Sequence, residues 1–353
     1  MKKILLVTEK VMHYRSRIYN HFYDLFQQQG YEFHVLSDEY QSVDCPIRYR
    51  QHRCALKLGE VTRKVSEIQP DIVITFIGLR VGIIFRFLRW CRRRSLPLIY
   101  WGHGMNLSNA SSPFWRWVNH RLHRQYDALI LYSPAQLNLI DASCRNRTFI
   151  AMNTLDFSDV DKNAMRSPDE VKAFYGIKES RIVMYISRIM PRKGLDILLR
   201  LFRNEPDVAL VVVGGGATPE QLQVMQETPN FYYLGEKYGV EVDEIYQLKG
   251  VFSTPGHIGL AINQAMYWGK PVVELPGPHA PEICYLHNGE NGFIEETEES
   301  LKSRIMQLLT DEELYQRVSA AARATYEKEM PIETMFEGFM QAVQYVESKK
   351  KKK

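Results

Sequence analysis

The chain has 353 residues, 45% of them hydrophobic and 24% charged, with a formal net charge of +4. That length predicts two or three domains and more than one core, and so small a net charge gives no bulk electrostatic case for a nucleic-acid partner. The cysteines Cys45, Cys54, Cys91, Cys144 and Cys284 are scattered and odd in number; the pattern suggests neither a disulfide framework nor a thiolate zinc site and suits a reducing cytoplasm.

In chain order, short Val/Ile-rich runs alternate with helix-like segments. Strands are predicted over 3–8, 31–36, 71–76, 96–101, 127–132 and 147–151, with helical spacing over 17–29 and 56–68. The second half repeats the plan, with strands over 181–187, 207–213, 230–234, 250–254 and 271–274. Strands of this composition between helices indicate buried parallel sheets built from βαβ units. The expected fold is α/β, two Rossmann-like doubly wound domains facing a central cleft, because such sheets bind ligands at the carboxyl ends of their strands. The expected domains are 1–155, 156–330, and a segment 331–353 whose helix could pack back on the first domain ahead of a lysine tail. The apolar start at 4–8 is too short for a signal-peptide core, and no apolar run reaches about 18 residues. A chain of this kind is expected not to span a membrane, though it could lie on one.

Several stretches carry candidate chemistry. Glu9–Arg15 reads as the connection between the first strand and the first helix, where His13, Tyr14 and Arg15 could contact a substrate or be merely solvated. Arg80–Arg94 and Trp115–Arg124 are basic, aromatic and helical in spacing, as expected of surfaces drawn to anionic lipid; amphipathic core helices with solvated basic faces are the plainer alternative. His103 follows the strand 96–101 and points into the expected cleft. Asp159-Val160-Asp161 has the spacing of a metal-binding triplet but no strand before it, so chance explains it better and no metal site is expected.

In the second half, Ser187–Gly194 (SRIMPRKG) joins a strand to a helix at 195–202. Arg188 as a fork and Lys193 as a point charge could converge on a diphosphate there and neutralise a leaving phosphate without a metal. Val211–Gly216 (VVVGGG) is a strand running into a glycine turn, without a dinucleotide fingerprint. Ser253–Val273 (STPGHIGLAINQAMYWGKPVV) has a two-glycine loop opening a helix over 260–268, where unpaired amides suit a phosphate or sugar hydroxyl.

In order, SRIMPRKGLDIL, VVVGGG, NFYYLGE, PGHIGLAINQAMYWGKPVVE and PEICYLHNGENGF resemble the donor domain of GT-B glycosyltransferases, most of all the retaining family 4 that includes bacterial cell-surface polysaccharide enzymes. Asn153-Thr154-Leu155-Asp156 is similar to the turn that closes that family's N-terminal domain. The resemblance is firm over 150–293 and loose before it.

The resemblance implies transfer of a sugar from a UDP- or GDP-linked donor to a glycan or lipid-linked acceptor, with retention and with no cofactor. By position, Arg188 and Lys193 would hold the diphosphate and Gly235 and Glu236 would lie near the base. Gly259 and Leu260 would offer backbone N–H groups, Glu282 would lie near the sugar, and His103 would contact the sugar. His13, Tyr14 and Arg15 stand where many relatives carry glycines, and would face the acceptor. The family's two glutamates, seven residues apart, are here Gly256 and Gln264. Gln264 could still accept from ribose through its amide oxygen, and His257 could take over a sugar or phosphate contact. The implied location is the cytoplasm, at the inner face of the plasma membrane, since relatives extend lipid-linked glycans. A GT-B nucleotide-sugar epimerase and an inactive glycan-binding relative remain the alternatives.

Overall fold

The computed structural model describes residues 1–42, 45–79, 81–105 and 112–350. Arg80 and the tail residues 351–353 therefore lie outside the described residues. The chain divides into two units, one of Met1–Asp156 with Ile332–Lys353 and one of Phe157–Pro331.

The first unit runs β1 (Lys2–Val11), α1 (His13–Gln28), β2 (Tyr31–Tyr40), β3 (Arg50–Arg53), α2 (Leu58–Ile68), β4 (Ile72–Phe76), α3 (Ile84–Arg93), β5 (Leu98–Gly102), α4 (Pro113–His123), β6 (Ala128–Leu131) and β7 (Thr148–Ile150). Its seven-stranded sheet has the order β3-β2-β1-β4-β5-β6-β7, all parallel. The order reverses between β1 and β4. The central strands bury both faces, as Ile4–Val7 and Leu98–Trp101 show, which is why they read as continuous apolar runs rather than alternating ones. The C-terminal helix Ile332–Lys350 closes one face. Phe336 and Phe339 lie edge-on to Phe22 with centroids 5.4 and 5.0 Å apart, and Phe339 reaches Trp101 at 4.9 Å. A Cβ at Gly338 would sit 2.2 Å from Ile150 O, so only glycine lets the helix lie this close to the end of β7.

The second unit runs α5 (Pro168–Tyr175), β8 (Arg181–Ile186), α6 (Leu195–Phe202), β9 (Val208–Val213), α7 (Pro219–Glu227), β10 (Phe231–Tyr233), α8 (Val240–Tyr246), β11 (Val251–Phe252), α9 (Ala261–Tyr267), β12 (Val272–Glu274), β13 (Gly292–Ile294), α10 (Glu298–Thr310) and α11 (Glu312–Glu329). Its six-stranded parallel sheet has the order β10-β9-β8-β11-β12-β13, reversing between β8 and β11. Ligands of such sheets sit outside the carboxyl ends of the strands at the reversal, here the segments after Ile186 and Phe252. Helix starts follow local chemistry. Capping boxes at Ser167–Glu170 and Thr218–Gln221 satisfy the first orphan amides of α5 and α7, each with proline in the first turn.

Several expectations need correction. Glu9–Val11 continue β1, paired through Val11↔Tyr40, and His13–Arg15 form the first turn of α1, so the supposed connection shrinks to Met12. The helix starts at His13 because Arg15 and Ser16 are buried, which a polar run does not announce. β3 and β13 were not expected. Asp161 accepts from Asn163 N and caps the short turn Lys162–Ala164. The described residues contain no helix long and apolar enough to cross a membrane.

Candidate functional site

At the reversal point of the second sheet, β8 ends and the chain turns through Ser187–Met190 into a 3-10 turn, Pro191–Lys193. Arg188 is exposed, whereas Lys193 is buried. Burial lowers the Lys193 pKa from the ordinary lysine value. Glu274 and Glu282 draw it back up, while Arg192 and Arg188 press it down. Lys193 is thus a desolvated cation in reach of two buried carboxyl groups and two guanidinium groups.

Glu274 ends β12 and is fully buried. Its Oε1 accepts from Thr254 N at 2.8 Å and from Thr254 Oγ1 at 3.4 Å. Burial pushes its pKa up to about 8, opposed by the Thr254 hydrogen bonds and Lys193. Near neutral pH the group is held largely as the acid. This residue was passed over in the sequence; an acidic residue directly after the Val272-Val273 run was the available signal.

The loop Thr254–Leu260 is pinned from two sides. Gly256 N donates to Lys193 O at 3.3 Å. Ile258 N donates to His279 Nδ1 at 3.1 Å, and Ala280 N donates to Ile258 O at 3.0 Å. His257 Nδ1 pairs with Pro278 O. Burial lowers the pKa of its ring, and the Lys193 and Arg192 charges add to that. Glu282 lies in the short helix Pro281–Tyr285 and is buried, a poor match to a solvated cap. A Cβ at Gly259 would stand 4.0 Å from Lys193 Nζ. Ile262 N and Asn263 N donate to Gly259 O and Leu260 O. Among the described residues the amides of Gly259 and Leu260 have no acceptor, so they are available to an anion. The helix behind them has only seven residues, so its dipole adds less than a long helix would.

The two departures from the glutamate pattern have local causes. A Cβ at Gly256 would meet Arg192 O at 2.2 Å. Gln264 donates from Nε2 to Asp243 Oδ1 at 2.8 Å, and Trp268 Nε1 donates to the same oxygen at 2.9 Å. The acceptor-only carboxylate fixes which end of the amide faces it. On the other flank, Gly235 O accepts from Gly214 N at 2.8 Å, and Glu236 Oε2 accepts from Tyr238 OH at 3.0 Å. Arg188 also bears on Tyr238. The second unit therefore gathers Arg188, Lys193, Gly235, Glu236, His257, Gly259, Leu260 and Glu282 around its strand ends, with Gln264 tied to α8.

In the first unit, His103 follows β5 and packs on Tyr132 with centroids 4.6 Å apart. Gln136 Nε2 lies 3.1 Å from His103 Nδ1. The ring is exposed at its outer edge, yet the protein around it, aided by the Arg15 charge, holds its pKa down at about 4. Arg15 is buried over Trp101, 4.9 Å from the ring centre, and donates to Tyr132 OH at 3.1 Å. Tyr14 is half-buried. His13 is exposed, and its backbone N donates to Gln41 Oε1 at 3.0 Å. His103 and Arg15 thus share a neighbourhood, and His13 contacts Gln41.

The fold recurs in known proteins. HepE of Anabaena, in a crystal structure with UDP, superposes with a TM-score of 0.73 over 98% of this chain and 100% of that one, at 17% identity. Sulfoquinovosyl transferase SQD2 of Arabidopsis thaliana is 23% identical over 307 residues, covering 82% of this chain and 59% of that protein. A GDP-mannose-dependent alpha-(1-6)-phosphatidylinositol monomannoside mannosyltransferase of Mycolicibacterium smegmatis is 30% identical over 138 residues, covering 34% of this chain and 36% of that protein. The chain spans less than two thirds of the length of either relative. The two-sheet architecture is that of the GT-B glycosyltransferases. Residues 168–325, nearly the whole second unit, match the family described as Glycosyl transferases group 1.

Proposed function

We propose that the protein transfers a sugar from a nucleotide diphosphate-sugar to a glycan or lipid-linked saccharide, with retention and without a metal. The observation that carries this is the desolvated Lys193 beside Arg188 at the reversal point of a group 1 domain. A fixed cation in a dry pocket stabilises a leaving diphosphate far better than one in water. Lys193 and Arg188 take the phosphates, with the amides of Gly259 and Leu260. On this reading Gly235 and Glu236 are assigned to the base, Glu282 to the sugar, and His103 of the first unit to a sugar hydroxyl. His13, Tyr14 and Arg15 are assigned to the acceptor. In a retaining reaction the leaving phosphate oxygen takes the acceptor's proton on the face it departs from. The UDP in the Anabaena structure and the GDP-mannose named for the mycobacterial relative support a nucleotide-sugar donor and leave both bases to be tested.

The acceptor belongs at a membrane surface on this reading. From Ile72 to Tyr126 the sequence holds nine arginines and no Asp, Glu or Lys. α3 and α4 expose Phe85, Phe114, Trp115 and Trp117, and a groove between them is lined by Arg89, Arg92, Arg121, Phe85 and Trp117. Arg124 is paired with Asp141; exposed aromatics among the other arginines suit an anionic lipid surface, here the cytoplasmic face of the plasma membrane.

Calorimetric titration with UDP, GDP and their sugars tests the donor site. One base series should bind saturably, and Lys193→Ala should weaken it. Absence of binding for every nucleotide would remove the proposal.

A further inference from the structure

The segment after β6 reads Ser133-Pro134-Ala135-Gln136. It folds as a capping box at the start of the short helix Pro134–Asn138. Gln136 Oε1 accepts from Ser133 N at 3.2 Å and from Tyr132 N at 2.9 Å. Two backbone donors fix the orientation of that amide, because its nitrogen could not face them. The NH2 end must then face His103, 3.1 Å away at Nδ1. A nitrogen approached by an N–H can only accept, so the ring proton sits on Nε2. Gln136 is buried, which holds its amide in place against the ring. Among the described residues, the groups that act on the ring are Arg15, Tyr132 and Gln136, and none of these is a carboxylate that would favour an imidazolium.

We infer that Gln136 is a positioning residue that holds His103 as the neutral Nε2–H tautomer, so that His103 acts in the site as a hydrogen-bond donor and not as a general base or a cation. This deepens the proposed function and rests on the assignment of His103 to the sugar. The helix cap and the site histidine share one side chain: the oxygen closes the cap and the nitrogen selects the tautomer. The protein packed around the inner side of the ring and the Arg15 charge both hold its pKa down, which favours the neutral ring. The outward Nε2–H can therefore donate to a sugar oxygen, and its donor ability should not change between about pH 6 and 8.

Gln136→Glu tests this while keeping the cap, since glutamate serves a capping box as well as glutamine. A carboxylate only accepts, so it demands a proton on His103 Nδ1. Nitrogen-15 NMR of the full chain with labelled histidine reads the tautomer directly, with His103→Gln identifying the signals of His103 among the ten histidines. The wild type should show Nε2–H, and Gln136→Glu should show Nδ1–H with a raised pKa. A wild-type Nδ1–H tautomer, or an unchanged tautomer in Gln136→Glu, would overturn the inference whatever the protein's activity. Transfer by Gln136→Glu should fall about tenfold at pH 8 and recover as the pH drops through its raised pKa, because the imidazolium regains Nε2–H. Wild-type transfer should show no such recovery as the pH drops over that window. A variant loss that ignores pH would assign Gln136 a structural role only. Nucleotide-sugar inactivity with the predicted tautomers intact would count against the proposed function and leave the tautomer assignment standing.

Discussion

The backbone at Gly256 lies directly on the carbonyl of Arg192, so that a Cβ at position 256 would stand 2.2 Å from that oxygen. The loop expected to carry a glutamate is thus packed against the turn that presents Lys193. Gly256→Ala should cost roughly 2 kcal/mol or more, because backbone must move on backbone, and Gly256→Glu should cost at least as much without improving donor binding. Urea denaturation with an unchanged slope measures it. A Gly256→Glu protein of normal stability and tighter donor binding would show that the glycine is dispensable.

The second departure behaves differently. Gln264 is tied to the buried Asp243. Gln264→Glu would set two carboxyl groups together, raising the pKa of one. A raised pKa gives stability that is lost as pH rises through it. The variant should therefore be destabilised by roughly 1–3 kcal/mol at pH 8 and recover toward wild type near pH 4. Equal midpoints at both pH values would contradict the Asp243 tether.

Glu274 supplies a pH test of the buried network. Its folded pKa of about 8 lies above the unconstrained value of 4.5, so the folded state holds a proton that the unfolded state has lost across that window. Its contribution to stability is full below pH 4.5 and lost as pH rises toward 8. Glu274→Gln keeps an acceptor for Thr254 and removes the titration. The stability of the variant relative to wild type should rise with pH over this range by an amount of order a few kcal/mol. Parallel stability–pH curves would show that Glu274 does not titrate as described.

The aromatic and arginine surface predicts selective lipid binding. The protein should bind vesicles containing phosphatidylglycerol and not pure phosphatidylcholine, with affinity falling as salt rises. Reversing Arg89 and Arg121 to glutamate should weaken binding about tenfold or more, at ~1 kcal/mol per charge. Indifference to lipid charge, or unchanged binding by the double variant, would remove the membrane from the account.

The strands that carry the sites were legible because β1, β4, β5, β8 and β9 are Val/Ile/Leu runs buried on both faces. β3 was not, since Arg50-Gln51-His52-Arg53 has no apolar residue and joins the sheet only by pairing with β2. β13 has three residues, too few to show a period. The start of α1 was hidden because Arg15 is buried by aromatic partners far away in sequence. The place of Arg188 and Lys193 between a strand and a helix was readable, and β8 and α6 flank them. Glu274 was passed over, as were Asp243 as the partner of Gln264 and Gln136 as the partner of His103. The capping pattern at Ser133–Gln136 is visible in the sequence, but only the fold brings it to the histidine.

The central claim is donor-sugar transfer with the leaving charge carried by Lys193, and nucleoside diphosphate release tests it most directly. Wild type and Lys193→Ala would be incubated with a panel of UDP- and GDP-sugars, with and without lipid-linked acceptors. At least one donor should release nucleoside diphosphate together with glycosylated acceptor, and Lys193→Ala should lose about 10²-fold or more of that rate. Release of nothing from any donor, with glycan binding retained, would contradict the account, as would interconversion of the donor sugar without any use of acceptor.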